Sequence, residues 1–265
     1  ANDSFKPVTK YFDRITRPEQ ILQSLPQAIQ TMLDPAECGP ACLSLCQDVQ
    51  GETFDYPEEF FKERIHNIRR PRPDDFQIKQ AVEKIKNSKK PIIISGGGVF
   101  YSDAMEELGN FAVKHNIPVT QTVMGYSTMK KDHSHFVGPI GGLGGKAANN
   151  LAKETDLAIC IGTKLADFTT GSWANFENPE FKLVSINIAR HDANKHLAEA
   201  VIGDAKVTLT ELSNAIGDWK SSDSWHKKSQ VELKSWNEYV DKESGPTNQE
   251  LPSYAHAVGA IYRNS

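Results

Sequence analysis

Three stretches of this chain carry residues able to hold an anion. In KKPIIISGGGVFYSD (89–103), Gly96, Gly97 and Gly98 directly follow an apolar run. In GPIGGLGGKAANN (138–150), Gly138, Gly141, Gly142, Gly144 and Gly145 precede a helical pattern, with Lys146 in its first turn. In GTKLADFTTG (162–171), Gly162 is followed by Thr163, Lys164 and two further threonines. Glycine lets backbone N–H groups come close to a phosphate, and the N-terminus of a helix favours negative charge. Gly96, Gly97, Gly98, Gly141, Gly144, Gly145, Gly162 and Lys164 are therefore the candidate cofactor-binding residues. The plainer reading of the same glycines is tight turns.

Other chemistry is less well supplied. A dinucleotide fingerprint needs a third glycine where Tyr101 stands, and an acid at the end of the second strand, which reads TQTV. This argues against an NAD dehydrogenase. His133 and His135 in DHSHF (132–136) would share a face if extended, but no acid or further histidine lies near them in sequence. They are expected to be solvated loop residues. Cys38, Cys42 and Cys46 recur every fourth residue. Within a strand over PACLSLCQDV (40–49), Cys42 and Cys46 would sit about 13 Å apart on one face, too far for one metal. Reduced, buried thiols are expected, with a cytoplasmic location. There is no G-x-S-x-G elbow and no H-E-x-x-H helix. No catalytic residue and no metal ligand is assigned within the chain.

The elements that position these residues follow from periodicity. Thr16 and Glu19 suggest a capping box with Pro18 in the first turn, opening a helix on Ile21, Leu22, Leu25, Ala28, Ile29, Met32 and Leu33, kinked at Pro26. A buried strand is expected at 41–46. Residues 1–52 thus read as the tail of a domain. Residues 53–75 read as a surface linker pinned by Phe54, Tyr56, Phe60 and Phe61. Over 76–220, strands at 91–95, 117–123, 157–163, 181–188 and 200–204 alternate with helices from Asp75, from Ser102, at 145–156 and from Ala205. That alternation predicts an α/β domain with a doubly wound parallel sheet, with all three glycine loops at its carboxyl edge. Over 221–265, a polar helix (224–242) and a second linker lead to SYAHAVGAIYRNS, which reads as the first helix of a further domain.

The chain has 265 residues and a net charge of −4 from 34 acids and 30 bases, with no basic stripe, so no nucleic-acid partner is expected. No apolar run reaches the roughly 18 residues of a membrane span, and ANDSFKPVTK has no apolar segment of a secretory signal.

The order of motifs KPIIISGGGV, IPVTQTVMGYSTMKKDHSHFVGPIGGLGGKAAN, TDLAICIGTKLADFTTG and VIGDAKVTLTEL resembles the central domain of thiamine-diphosphate-dependent enzymes of the acetohydroxyacid synthase type. The flanks agree. FKPVTKYFDRITRPEQI with GPACLSLCQDV is similar to the end of that family's pyrimidine-binding domain, and ELPSYAHAVGAI to the entry of its diphosphate-binding domain. DPAECGPACLSLCQDVQGETFDYPEEFF is most similar to the branch that hydrolyses a trihydroxycyclohexanedione in myo-inositol catabolism.

The resemblance implies a DHS-like nucleotide-binding Rossmann type of fold. It implies a parent enzyme that uses thiamine diphosphate and Mg2+ to cleave a carbon–carbon bond of a cyclic diketone, giving deoxyglucuronate, and that forms a homo-oligomer. The alternatives are an acetolactate-synthase-like carboligase and a non-catalytic adenine-nucleotide-binding module. Family members activate the cofactor with a glutamate early in the pyrimidine domain and hold magnesium with a Gly-Asp-Gly…Asn motif. Neither is present here: the Gly-Asp pairs at Gly203 and Gly217 are not followed by glycine. A fragment from the middle of the enzyme, inactive without its pyrimidine- and diphosphate-binding domains, is expected. The flavin pattern of the synthases is also altered. Its Met-His-Gly stands as Gly142-Leu143-Gly144, its Arg-Phe-Asp-Asp-Arg as Lys164-Leu165-Ala166-Asp167-Phe168, and its Ile-Asp-Ile-Asp as Ile186-Asn187-Ile188-Ala189. Loss of both arginines removes planar, bidentate phosphate partners. The resemblance therefore implies no FAD, and at most weak ADP with its phosphates over Gly96–Gly98 and the amides of Gly144 and Gly145.

Overall fold

The computed structural model describes residues 2–264. The chain divides into two compact units, one ending at Arg70 and one beginning at Pro71.

In the first unit, β1 (Tyr11–Ile15) and β2 (Ala41–Leu45) pair in parallel, Tyr11 opposite Ala41 and Ile15 opposite Leu45. Helix α1 (Ile21–Leu33) connects them. Strand β1 is not visible in the hydrophobic pattern because Asp13 interrupts it. That carboxylate accepts hydrogen bonds from Ser24 Oγ, from Gln20 Nε2 (3.0 Å) and from the Arg14 N–H (2.8 Å). These bonds, the Ser24 one foremost, hold Asp13 below the usual carboxylate range. Thr16 does not cap α1. Pro18–Gln20 form a 3-10 turn before it, with Arg17 at the cap position, and α1 runs on through Pro26 as one helix. The expectation of buried thiols fails here. Cys38, before β2, is exposed; Cys42 on β2 is half-buried because a two-stranded sheet covers little of the strand, and Cys46 just after it is half-buried too. The aromatic set does pin the following segment. Tyr56 lies 5.0 Å from Phe54 and 6.1 Å from both Phe60 and Phe61, and its hydroxyl donates to Pro18 O (3.2 Å).

The second unit begins with α2 (Asp75–Asn87), capped by Asp74, whose carboxylate accepts from the Phe76 N–H at 2.8 Å. Then follow β3 (Pro91–Ser95), α3 (Gly97–Tyr101), α4 (Met105–His115), β4 (Val119–Gln121), β5 (Phe136–Pro139), α5 (Lys146–Glu154) and β6 (Leu157–Ile161). The unit continues with α6 (Asp167–Thr170), β7 (Lys182–Asn187), α7 (Arg190–Ala193), β8 (Glu199–Ile202), α8 (Ala205–Ile216), α9 (Asp223–Glu243) and α10 (Tyr254–Asn264). The six strands pair in parallel in the order β5-β4-β3-β6-β7-β8. The chain starts at the centre, walks outward to β5, returns to β6 and walks outward to β8. Its direction reverses between β3 and β6.

Both faces of the sheet are covered, so its central strands are apolar throughout rather than alternating. Ile93, Val119, Ile159 and Val184 pack against α2, α4 and α8. Ile92, Ile94, Ala158 and Leu183 pack against α5 and Trp225 of α9. Three sequence expectations change. The helix expected from Ser102 begins at Gly97, breaks where Asp103 takes a left-handed φ of 53°, and resumes at Met105. The glycine-rich loop contains β5. The polar helix read as part of a linker is α9, which is a layer of the fold. Its Trp225 is 3 % exposed and donates from Nε1 to Pro91 O at 2.8 Å, Ser229 is fully buried, and Lys228 pairs with Glu154 of α5.

Candidate functional site

The three glycine loops meet at the carboxyl edge of the sheet, where β3 and β6 lie side by side. In an open α/β sheet this reversal point is where ligands bind. The backbone there is closed on itself. The Gly96 N–H donates to Ile161 O (2.8 Å), the Gly98 N–H to Gly162 O (2.9 Å) and the Gly162 N–H to Ile186 O (2.9 Å). A Cβ on Gly96 would lie 2.4 Å from Gly162 O, and one on Gly97 would lie 2.9 Å from Met124 O. Gly125, which the sequence did not single out, belongs to the same apex: its Cβ would lie 2.2 Å from Ser95 O.

The second loop is equally committed. Asn149 of α5 accepts from the Gly141 N–H (2.9 Å) and donates to Gly141 O (3.0 Å). The Gly142 N–H donates to Phe168 O (2.7 Å), that of Gly144 to Gly141 O (2.9 Å) and that of Gly145 to Pro139 O (2.8 Å). Gly141 has a φ of +103°. The start of α5 faces aromatic rings of α9. A Cβ on Gly145 would lie 2.7 Å from Trp236 Nε1, and Lys146 Nζ sits 5.2 Å above the Tyr239 ring.

In the third loop Lys164 is exposed. Asn187, at the end of β7, donates to Thr163 O (3.1 Å) and accepts from the Ala189 N–H (3.0 Å), which spends its amide on holding two loops. The predicted residues are thus brought to one edge, but the amides of Gly96, Gly98, Gly144 and Gly145 are not turned outward for phosphate. They are donors to the chain itself, because each turn must pack against its neighbour.

Beside the exposed Lys164 and Asp167, much of what the edge offers to solvent is apolar. Phe100, Tyr101, Met124, Tyr126, Leu143 and Phe168 are all exposed, and a hollow of about 270 Å3 lies among Gly97, Phe100, Tyr101, Met124, Tyr126 and Ser127. His133 and His135 lie elsewhere, before β5, and the solvated reading fails for His135. It is 6 % exposed and stacked on His226 of α9. Among the described residues, no group of three or more His, Cys, Asp or Glu side chains could hold a metal ion.

Against this geometry, residues 78–212 match the sequence model described as "Thiamine pyrophosphate enzyme, central domain". The chain belongs to the thiamine pyrophosphate enzyme family. The match runs from α2 to α8 and so covers the doubly wound sheet. The thiamine pyrophosphate enzyme resemblance extends into the flanks. The chain is 45 % identical over 242 residues to a "3D-(3,5/4)-trihydroxycyclohexane-1,2-dione hydrolase" of Clostridium perfringens, covering 91 % of this chain and 38 % of that protein. It is 47 % identical over 212 residues to the protein of that name from Clostridium botulinum, covering 80 % of this chain and 33 % of the relative. It is 40 % identical over 277 residues to the one from Bacillus anthracis, covering 98 % and 42 %. The chain therefore spans between a third and about two fifths of the length of these relatives.

The residues present do not by themselves fit thiamine diphosphate with a divalent ion. The glycine-loop amides named above are committed within the chain, and no group of three or more His, Cys, Asp or Glu side chains among the described residues is placed to hold the metal. Among the described residues no helix is long and apolar enough to cross a membrane.

Proposed function

We propose that this chain is the middle of a longer thiamine-diphosphate- and Mg2+-dependent hydrolase, which cleaves a carbon–carbon bond of trihydroxycyclohexanedione in myo-inositol catabolism and yields deoxyglucuronate. The carrying observation is the 45 % identity over 242 residues, which runs beyond the central domain into both flanks. Residues 1–52 would complete the pyrimidine-binding domain and the last helix would open the diphosphate-binding domain, with 53–75 as the connector. The parent would be a cytoplasmic homo-oligomer.

Within it the doubly wound domain is a scaffold. Its committed glycine amides and its altered flavin positions, Lys164, Phe168, Asn187 and Ala189, favour a domain without FAD and without tightly held ADP. The chemistry is supplied by the cofactor in the flanking domains. The full-length protein, freed of cofactor, should consume the cyclic diketone only after thiamine diphosphate and Mg2+ are restored. Equal turnover without thiamine diphosphate would contradict the proposal.

A further inference from the structure

Three histidines gather where α9 meets the loop before β5, and the family assignment gives them no role. The rings of His135 and His226 lie face to face, 4.2 Å between centroids and 22° between planes, and His133 lies 5.9 Å from His135. Asn116, which ends α4 with a φ of 56°, organises the group. Its Nδ2 donates to Ser221 O (3.2 Å) and to Asp223 Oδ1 (3.1 Å), so its Oδ1 must face His135. His135 therefore carries its proton on Nε2 and donates it to that oxygen (3.2 Å), leaving Nδ1 to accept from Ser134 Oγ (3.0 Å). The main-chain N–H of His135 donates to His133 Nδ1 (3.2 Å), a bond that a proton on that nitrogen would break. His226 Nδ1 is buried with no hydrogen-bond partner, so a proton arriving there finds no acceptor. The rings of His135 and His226 are thus both arranged for the neutral form.

We propose that the His135–His226 stack is a proton-operated latch between α9 and the loop leading into β5, closed while both rings are neutral and opened when either gains a charge. The charged group that acts on it is Asp223 on α9, which favours a proton on His226, and Lys130, Lys131 and Asp132 precede His133 on the loop. Lys114 and Lys220 flank His115, whose ring bonds Trp219 O and Ser213 Oγ at 2.9 and 3.1 Å. Gln230 of α9 ties the loop by donating to Ser134 O (2.8 Å), and Lys131 reaches Tyr262 of α10 (3.2 Å to its hydroxyl). Opening the latch would thus loosen the loop from both closing helices.

Burial, and then the neighbouring His226 and His133, push His135 down to about 4, and burial lowers His226. The closed form then binds fewer protons than the open one. Its advantage is complete above the ordinary imidazole value of about 6.5 and is lost as pH falls toward about 4.

Hydrogen exchange of the 265-residue chain tests this. Segments 130–137 and 222–232 should open about tenfold or more readily at about pH 5 than at about pH 7.5, after correction for intrinsic rates. The double variant His135→Gln and His226→Phe keeps the donor to Asn116 and one ring face without a titratable pair, and should stay protected at the lower pH. Unchanged wild-type exchange, or a double variant that opens as the wild type does, overturns the proposal. Should the variant fail to fold, imidazole NMR titration of the wild type decides. His135 and His226 must titrate below the usual range and one after the other, and independent titration near the ordinary histidine value overturns the latch.

Discussion

Gly98 and Gly162 meet backbone to backbone at the reversal point of the sheet. The Gly98 N–H donates to Gly162 O at 2.9 Å, and a Cβ on Gly162 would lie 2.5 Å from Gly98 Cα. The glycines of these turns serve the close packing of β3 and β6. Gly162 also has a φ of +60°, which a side chain disfavours. Gly162→Ala should therefore cost about 2–4 kcal/mol, from left-handed strain and overpacking together. Urea unfolding reads this, and a loss below about 0.5 kcal/mol would mean the turn yields easily.

If the edge still held ADP with a Kd of about 0.1–1 mM, about 5 mM ADP would stabilise the fold by roughly 1–2 kcal/mol and raise its melting point by several degrees. The committed amides predict a shift below about 1 °C. A rise of several degrees, abolished by a bulky residue at Gly144, would restore the nucleotide reading.

Helix α9 is predicted to be integral to the folded unit. Trp225→Phe removes the donor to Pro91 O and should cost about 1–3 kcal/mol, while Trp225→Ala should cost about 3–5 kcal/mol. A neutral Trp225→Ala in urea unfolding would show that α9 is only loosely attached.

The thiols should separate by reactivity. Cys38 is exposed, whereas Cys160 is fully buried on β6 and its thiol is pushed well above the usual range by that burial. A disulfide exchange reagent should label Cys38 first and Cys160 only after unfolding. Labelling of Cys160 in the native protein would contradict the packed face between β6 and α5.

How much of this was legible in the sequence depended on whether the partners were local. PIIIS and LAICI are apolar throughout because both faces are covered, and they announced β3 and β6. Asp13 in β1 and Gly138-Pro139 in β5 broke the pattern, and only the parallel pairing to β2 and β4 makes those segments strands. Helix α9 looked like a solvated linker because few of its residues are buried. What docks it is remote: Pro91 O for Trp225, His135 for His226, Glu154 for Lys228. The glycines correctly marked where the backbone must be approached closely. The sequence could not say that what approaches is another turn of the same chain.

The proposed role of this chain is that of scaffold in a thiamine-dependent hydrolase of a cyclic diketone. The most direct test gives the full-length protein, loaded with thiamine diphosphate and Mg2+, either trihydroxycyclohexanedione or pyruvate in parallel. The account predicts ring-opened deoxyglucuronate from the first and no acetolactate from the second. Acetolactate from pyruvate, with the diketone untouched, would contradict it and assign the parent to the carboligases.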